Sequence, residues 1–396
     1  MSFTVRTEEI IEKAKYSNQP AIDGVWIQTA IDRILQKIDQ NLTRFACQFP
    51  APATENLHYA VQEGNVEWTE GFWTGMLWLA YDVTKDEKYR QIAEVQLQSF
   101  KERAEKRIKT NTHDLGFLYT LSCVFAYKAT GNKEAKATAL LAADLLLERY
   151  QPEAKILQAW GDLNDPEKQG RMIIDCNLNL PLLYWASEET GNKEYFDIAN
   201  QHIHQAARYL VREDASTFHT FYMDVKTGQP ITGKTHQGYS DDSCWSRGQA
   251  WAMYGFVLNY VYTKDKTLLE LSKKVTNYFL NRLPDDQVCY WDLIFTDGDQ
   301  YRDTSGAAVA VCGILELIKH LPVLDEDVTY YKNAALLIVK SLEGNYATQA
   351  DETQHGILLH AVYNMGRGMG IDESCLWGDY YYFEALVRLS KIWSLY

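Results

Sequence analysis

Residues 71–100 read GFWTGMLWLAYDVTKDEKYRQIAEVQLQSF and contain the structural unit on which the fold prediction depends. The first part, Gly71–Tyr81, is apolar on nearly every side, which is typical of a helix buried all round. A short Thr-Lys-Asp turn follows. Glu87–Lys106 then has one charged face, as expected of a helix that faces water. The stretch therefore predicts an inner helix paired with an outer helix.

The same unit recurs along the chain, because similar Thr-containing turns lie at 130–133, 190–193 and 263–266. The predicted inner helices are Gly71–Tyr81, Leu115–Tyr127, Ile173–Ala186, Ala250–Tyr262, Thr304–His320 and Tyr380–Trp393. The predicted outer helices are Val25–Cys47, Glu87–Lys106, Lys133–Tyr150, Glu194–Val211, Lys266–Leu283 and Asp327–Gly344.

Six helix pairs predict an all-α fold, an (α/α)6 barrel of about twelve helices with six inner and six outer. An open helical solenoid is the alternative, but its repeats would be more uniform in length than these are. We expect one catalytic domain over residues 1–396, since helical barrels of this length are commonly built as one domain. The pattern does not specify an oligomeric state.

Composition excludes several classes of function. Lys and Arg total 39 against 53 Asp and Glu, and the net charge of −14 argues against nucleic acid or an anionic membrane as a partner. Seven scattered cysteines form neither a zinc motif nor a disulfide framework. The polar N-terminus lacks a signal-peptide core and no apolar run has membrane-span length, so we expect a cytoplasmic protein.

Four long stretches between helix pairs are predicted to be irregular: 151–171, 212–245, 284–302 and 345–376. Each leads into the N-terminus of an inner helix, so they should gather at one mouth of the ring. The positive ends of the helix dipoles converge there and favour a ligand that bears a carboxylate. The sequence GRGMG at 366–370 is interpreted as a loop with no strand before it, not as a dinucleotide-binding turn.

Two aspartates are the candidate catalytic residues. Asp175 follows two apolar residues and begins an inner helix, so its side chain should point into the ring, where burial would raise its pKa towards that of a proton donor. Asp114 occupies the same place one repeat earlier. Glycosidases use such carboxyl pairs, in which one group donates a proton while the other stays ionised. By contrast, Asp303 and Asp379 are interpreted mainly as helix N-caps.

The stretch 235–251 concentrates hydrogen-bond donors and aromatic side chains. Arg247 and Trp251 lie four residues apart on one helix face, where they could clamp a carboxylate and stack on a sugar ring. His219 and His236 would supply neutral donors. They have no nearby carboxylate at metal-binding spacing, and no phosphate loop appears, so neither a metal nor another cofactor is expected.

From about Asn41 to the C-terminus, the chain resembles the unsaturated glucuronyl hydrolases of glycoside hydrolase family 88. The motifs that carry this resemblance, in order, are EWTEGFWTG at 67–75, HDLGF at 113–117, QAWG at 158–161, IDC at 174–176, HQGYSD at 236–241, WSRGQAW at 245–251 and WGDYY at 377–381. The family fold is an (α/α)6 barrel.

The resemblance implies hydrolysis of the 4,5-unsaturated uronic acid at the non-reducing end of lyase-generated oligosaccharides, without a cofactor. The implied partner is an unsaturated uronyl disaccharide or a short oligosaccharide. Asp175 would protonate C4 of the double bond, water would add at C5, and Asp114 would be the essential partner of Asp175. The family's substrate-contacting positions correspond here to Trp68, Trp160, His219, Gln237, Arg247 and Trp251.

The chain departs from the family at two places. Members that prefer sulfated glycosaminoglycans have an Arg near position 236 and a Ser-x-x-Ser-x-Lys run in the final long loop. Here the chain has His236 and, at 364–369, NMGRGM. We therefore expect unsulfated or differently sulfated disaccharides as substrates. Arg367 is either a replacement sulfate contact or a solvated loop residue.

Three alternatives have different consequences. An unsaturated rhamnogalacturonyl hydrolase would use the same chemistry on pectin fragments. An N-acyl-glucosamine or cellobiose epimerase would need paired histidines deep in the barrel, whereas this sequence has scattered ones. A non-catalytic sugar-binding barrel would keep its ligand after loss of Asp175 and would show no turnover.

Overall fold

The computed structural model describes residues 4–322, 324–349, 353–393 and 395. Small parts of the predicted 345–376 stretch and of the predicted single domain therefore lie outside the described residues. Six long outer helices are α1 Gly24–Leu42, α3 Glu87–Glu105, α6 Lys133–Leu147, α8 Lys193–Tyr209, α10 Lys266–Leu280 and α12 Asp327–Ser341. The inner positions are filled by α2 Glu70–Thr84, α4 Leu115–Tyr119 with α5 Phe125–Thr130, α7 Pro181–Thr190, α9 Ser246–Thr263, α11 Thr304–Leu317 and α13 Leu376–Ser390.

The predicted turns join inner to outer helices through one repeated set of contacts. Four inner helices end at a residue with left-handed backbone, namely Lys85, Gly131, Gly191 and Lys264. The next residue is Asp or Asn, and its side chain accepts a hydrogen bond from the first turn of the outer helix. Both helix ends thus satisfy backbone groups that have no partner within the helix. The turn sequence therefore terminates one helix and starts the next.

The inner helices form a closed ring. Helix α2 packs on the α4–α5 helix, which packs on α7 and the turn before it, and α9, α11 and α13 follow in order. Helix α13 then packs back on α2, and this contact closes the ring. Each outer helix packs against the inner helix of its pair or that helix's neighbours. This closure distinguishes the barrel from the solenoid alternative.

Two inner helices are less regular than predicted. The helix over 115–130 contains a π turn at Thr120–Val124 between α4 and α5. The helix expected from Ile173 begins instead as a 3-10 turn, Ile174–Leu178, and becomes α-helical only at Pro181. Asp175 therefore lies on a tight turn at the mouth of the ring and not within an α-helix.

Three of the four stretches predicted to be irregular, all but 284–302, contain short antiparallel strands, so that prediction was wrong in part. Strands β1 Phe49–Pro50 and β2 Val61–Gln62 lie before these stretches. The others are β3 Tyr150–Gln151, β4 Ile156–Leu157, β5 Arg171–Ile173, β6 Thr220–Met223, β7 Pro230–Lys234, β8 Ala361–Asn364 and β9 Met369–Glu373. Strands β5, β6 and β7 form one sheet, and β8 pairs with β9. These hairpins lie before the inner helices and hold the mouth of the ring in a fixed shape.

A strand does precede residues 366–370, contrary to the sequence interpretation. Strand β8 ends at Asn364, a 3-10 turn covers Met365–Arg367, and β9 begins at Met369. The two strands are antiparallel, so the segment is a hairpin tip and not the start of a parallel dinucleotide-binding unit. Among the described residues, no helix combines the length and apolar character needed to cross a membrane.

Candidate active site

A cavity of about 690 Å³ opens at the mouth of the ring, where the N-terminal ends of the inner helices meet. It brings together side chains from distant parts of the chain, from Val66 to Arg367. All ten residues predicted for the site line it: Trp68, Asp114, Trp160, Asp175, His219, His236, Gln237, Arg247, Trp251 and Arg367.

Asp114 and Asp175 approach each other at the cavity wall, where oxygens of the two carboxyl groups lie within 4.8 Å. Burial raises the pKa of Asp114 to about 6, against a hydrogen bond that Thr112 Oγ1 donates to Oδ2 at 2.6 Å. Burial and the adjacent charge of Asp114 raise the pKa of Asp175 well above its usual range. A carboxyl group with such a pKa can hold a proton near neutrality and donate it.

Asn179 fixes these two carboxyl groups relative to each other, a role that the sequence reasoning missed. Its Oδ1 accepts from the Phe117 backbone N–H at 2.7 Å, and its Nδ2 donates to the Asp175 carbonyl at 3.3 Å. Helix α4 comes this close because Gly116 has no side chain. A Cβ there would lie 2.2 Å from the Asn179 Cα. The sequence signal would have been an amide four residues after Asp175.

His113 lies against both carboxyl groups, and the sequence analysis gave it no role. Its Nε2 is 3.3 Å from Asp175 Oδ1 and 3.5 Å from Asp114 Oδ1. Within the described part of the chain, these three residues are the one group of His, Cys and carboxylate side chains whose ligand atoms lie close enough to hold a metal ion. His219 and His236, the histidines weighed from sequence, are not part of this group.

Arg247 is not free to act as the bidentate clamp expected from sequence. Its Nη1 donates to Asp303 and to the Val362 carbonyl, and its Nη2 donates to Gln237 Oε1 and the Tyr363 carbonyl. The four Nη hydrogens are therefore already directed at protein acceptors. Arg247 instead orients Gln237 and the β8 strand, and its positive charge beside the cavity acts to lower the pKa of Asp175.

The two aspartates interpreted as caps differ. Asp303 accepts from the Gly306 N–H at 3.3 Å and caps α11, as predicted, in addition to pairing with Arg247. Asp379 does not cap α13. It lies inside the first turn, and its carboxyl group accepts from the Tyr59 hydroxyl and the Ile357 and Leu358 N–H groups. The capping interpretation of Asp379 was wrong because α13 begins at Leu376, earlier than the apolar pattern indicated.

The two histidines predicted as donors adopt defined arrangements. His219 Nδ1 accepts from the His236 backbone N–H at 2.9 Å, so the ring hydrogen of neutral His219 is on Nε2. Burial, together with nearby positive charge, lowers the pKa of His219 well below its usual range. Burial and the charges of Arg171 and Arg367 lower the pKa of His236, whose Nε2 lies 3.2 Å from the Tyr222 hydroxyl. Both rings are therefore neutral at neutral pH.

The three tryptophans have different exposures. Trp68 and Trp160 are half-buried. Trp68 Nε1 donates to the Tyr363 hydroxyl at 3.0 Å, and the Arg171 guanidinium lies 4.1 Å from the ring centre of Trp160. Trp251 is only 1% exposed and packs against Phe117. The first two can offer a ring face to a ligand, whereas Trp251 forms part of the cavity floor.

The rim also contains residues that the sequence did not indicate, among them Glu67, Lys109 and Tyr363. Lys109 is exposed and Glu67 half-buried. Burial and the charge of Glu70 raise the pKa of Glu67. Arg367 is exposed at the hairpin tip, and its side chain forms no hydrogen bond or ion pair within the described part of the chain. The acidic protein thus presents two cations at the opening of its cavity, as an anionic ligand would require.

Three relatives are similar to this chain over nearly their whole length. The unsaturated chondroitin disaccharide hydrolase of Streptococcus pneumoniae is 49% identical over 393 residues, which are 99% of each chain. The crystal structure of unsaturated glucuronyl hydrolase from Streptococcus agalactiae matches with a TM-score of 0.97 at 46% identity, over 99% of this chain and 98% of that one.

The third relative is the unsaturated glucuronyl hydrolase of Bacillus sp. GL1, described as responsible for the degradation of glycosaminoglycan. Its crystal structure matches with a TM-score of 0.90 at 42% identity, over 92% of this chain and 97% of that one. These crystal structures are α/α barrels, which confirms the predicted fold class. Residues 41–389 match Glycosyl Hydrolase Family 88, in agreement with the resemblance drawn from the motifs. The chain is therefore a glycoside hydrolase and belongs to family 88.

Proposed function

We propose that this enzyme removes the 4,5-unsaturated uronic acid from the non-reducing end of glycosaminoglycan-type oligosaccharides by hydration of the C4=C5 bond. The observation that carries the proposal is the carboxyl pair, in which the pKa of Asp175 is raised by burial and by Asp114. A vinyl ether is hydrated through protonation at carbon, and this step requires a carboxylic acid that is still protonated near neutral pH.

Asp175 gives its proton to C4, and the π electrons of the double bond form the new C–H bond. Positive charge develops at C5 and is shared with the ring oxygen. Water adds at C5 and returns a proton to Asp175, so the acid is regenerated and one water is consumed. The resulting hemiketal opens spontaneously and the glycosidic bond is lost. Asp114 holds ring hydroxyls and, while ionised, keeps the proton on Asp175.

Five of the other predicted residues have a place in this scheme. His219 donates through its Nε2–H, and Gln237 is held by Arg247 so that its amide nitrogen is free to donate. Trp68 and Trp160 stack on sugar rings. The uronic carboxylate is attracted by the charge of Arg247 and by the converging N-terminal ends of the inner helices, and not by a free guanidinium fork.

The first experiment follows the ultraviolet absorbance of the conjugated double bond in unsaturated chondroitin and hyaluronan disaccharides. We expect absorbance to fall with the parent and with Asp299→Asn, an exposed control outside the cavity. It should stay constant with Asp175→Asn. Dialysis against EDTA should leave the parent rate unchanged, because Asp175 supplies the proton without a metal. Turnover that is lost with EDTA and restored by zinc would instead make the His113 group a metal centre.

Substrate panels separate the alternatives. Turnover confined to pectin-derived unsaturated disaccharides would favour a rhamnogalacturonyl hydrolase. Disaccharide binding that raises the melting temperature of both parent and Asp175→Asn, without absorbance loss in either, would favour a non-catalytic barrel.

Arg367 tests the sulfate preference. Its exposed guanidinium at the cavity rim can approach a sulfate on the second sugar, next to the neutral His236. We expect Arg367→Ala to raise KM for a sulfated disaccharide by about 3- to 10-fold, as for a partly exposed charge contact, and to leave the unsulfated one unaffected. Unchanged selectivity would make Arg367 a solvated loop residue.

A further inference from the structure

His113 lies beneath the carboxyl pair, where the reaction scheme above does not use it. The side chain is fully buried, and neither ring nitrogen has a hydrogen-bond partner among the described residues. Its backbone is fixed, because its N–H donates to the Ala159 carbonyl at 2.7 Å. A buried imidazole with two unsatisfied nitrogens is costly, so its closest polar neighbours identify its role. These neighbours are Asp175 Oδ1 at 3.3 Å and Asp114 Oδ1 at 3.5 Å from Nε2.

The charge state of His113 determines which nitrogen carries the hydrogen. Burial, together with the nearby charge of Arg149, lowers its pKa to about 3, so the ring is neutral and has one N–H. On Nδ1 that hydrogen would meet no acceptor in the described part of the chain. On Nε2 it lies beside the two carboxyl oxygens, which are 3.3 and 3.5 Å from that nitrogen. The hydrogen therefore lies on Nε2.

The two oxygens of Asp175 are in different environments. Oδ1 is sealed from solvent and has no other hydrogen-bond partner among the described residues, although the side chain as a whole keeps 20% exposure. Oδ2 is thus the oxygen that can face the cavity. An N–H donor at Oδ1 makes that oxygen an acceptor and leaves the acidic proton to Oδ2.

We propose that His113 is a positioning residue whose Nε2–H donates to Oδ1 of Asp175, shared with Oδ1 of Asp114, and thereby keeps the proton for C4 on Oδ2 of Asp175. This inference rests on the proposed function. Neither contact has the geometry of a hydrogen bond in the structure without substrate, as is common at catalytic groups, whose hydrogen bonds are often long or poorly aligned before substrate binds. Once Asp175 has given up its proton, the same N–H stabilises the carboxylate that remains.

The other charged and titratable groups around this site are known from the structure. Asp175 interacts with Asp114, Arg247 and the buried Cys176, and Asp114 also interacts with Arg103 and Cys176. His113 interacts with Arg149, His202 and His219. A donor to the carboxylate form of Asp175 lowers its pKa, so loss of the His113 N–H should raise that pKa further.

Three substitutions separate the donor from the volume of the ring. In His113→Gln the amide nitrogen reaches about the place of Nε2 and keeps a donor there. In His113→Asn the amide ends one bond earlier, nearer Nδ1. His113→Met fills similar space without a donor. All three are compared by melting temperature, by kcat and KM against pH, and by carbon-13 titration of Asp175, which Asp175→Asn assigns.

We expect His113→Gln to keep kcat within about fivefold of the parent. His113→Asn and His113→Met should lose about 10- to 100-fold in kcat with little change in KM, as for a hydrogen bond to a charged group. In these two variants the alkaline limb of the profile of kcat against pH, where Asp175 ionises, should move to higher pH. Equal losses in Gln and Asn variants, or a reduced kcat with an unmoved alkaline limb, would overturn the proposal in favour of a packing role.

The carbon-13 titration does not require turnover. If the parent leaves every unsaturated disaccharide intact, the proposed function fails. The hydrogen bond is still decided by the Asp175 pKa, which should be higher in His113→Asn than in His113→Gln and the parent. An Asp175 pKa that is the same in all of them would show that His113 donates nothing to it, whatever the enzyme hydrolyses.

Discussion

At the scale of the residue, the paired carboxyl groups are central to the proposed chemistry because each changes the proton affinity of the other. Asp114 is the second-largest cause of the raised pKa of Asp175, after burial. Two carboxyl groups this close share protons, so their titrations belong to the pair. The pair should be active when it holds one proton, on Asp175.

The pH profile of kcat/KM should therefore be bell-shaped. The acid limb should reflect protonation of Asp114, whose pKa is raised to about 6, and the alkaline limb should reflect ionisation of Asp175. In Asp114→Asn the negative charge that raises the Asp175 pKa is gone, so the residual activity should show an alkaline limb at lower pH. An alkaline limb that stays in place or moves upward would contradict the assignment of Asp175 as the acid.

Sequence reasoning identified which residues approach one another here but not how each is used. All ten predicted residues line one cavity because they lie just before or within the first two turns of an inner helix, or in the loops and hairpins beside it. The role of Arg247 was mistaken, because its acceptors on Asp303, Val362 and Tyr363 lie 56 to 116 positions away. No local pattern encodes such partners.

At the scale of the element, the contact between α4 and the 3-10 turn Ile174–Leu178 sets the distance between the carboxyl groups. It depends on Gly116, where a Cβ would lie 2.2 Å from the Asn179 Cα and 2.3 Å from its carbonyl oxygen. Both atoms belong to backbone, so a side chain could be accommodated only by moving one element away from the other.

Gly116→Ala should lower the free energy of unfolding by about 1–3 kcal/mol, the usual effect of overpacking, and should reduce kcat more than KM. The matched control is Gly344→Ala, since nothing lies within 4 Å of a Cβ there. That variant should be as stable as the parent or slightly more so. Urea denaturation and disaccharide kinetics measure both effects. Equal stability of the two variants would mean that the close packing at Gly116 is relieved without moving α4.

The paired helices were predictable because their signals are local. Burial on all sides marks the inner helices, one charged face marks the outer ones, and the Thr-x-Asp/Asn turn ends one and caps the next. The prediction failed where the signal was not local. The apolar pattern placed the start of α9 at Ala250 and of α13 at Tyr380, whereas the helices begin at Ser246 and Leu376 with polar residues buried by distant partners.

At the scale of the whole molecule, Asp379 connects three distant parts of the chain. From α13 its carboxyl group accepts from Tyr59, which follows α1, and from the backbone of Ile357 and Leu358 before β8. Burial raises the pKa of Asp379 from 3.8 to about 7, against the effect of these donors. The ring is thus joined at its closing contact through a group that titrates near neutrality.

The sign of the pH effect follows from proton binding. Between about pH 4 and 7 the folded chain holds a proton on Asp379 that the unfolded chain has lost, so stability falls as pH rises through this range. At about 1.4 kcal/mol per pKa unit, the loss at this site is on the order of 4 kcal/mol. Asp379→Asn should therefore lose less unfolding free energy between pH 5 and 8 than the parent does.

Urea denaturation at the two pH values measures this difference. Asp299→Asn, in an exposed loop, should lose as much unfolding free energy between pH 5 and 8 as the parent does. If Asp379→Asn also lost as much unfolding free energy as the parent, Asp379 would be ionised across this pH range. Other carboxyl groups with a raised pKa, such as Asp175, also make the unfolding free energy depend on pH. Their contribution is the same in the parent and the variants, so it cancels in the comparison.

The sequence by itself determined the six helix pairs, the turns that join them and the placement of Asp114 and Asp175 at one mouth of the ring. These features depend on side-chain periodicity and caps, which act within one or two helical turns. A single domain over residues 1–396 stays a prediction. Only the tertiary structure decided that Arg247 is already paired, that Asp379 joins distant segments and that His113 contacts both carboxyl groups. Those contacts form across a closed ring, where burial leaves each polar group dependent on partners from other elements.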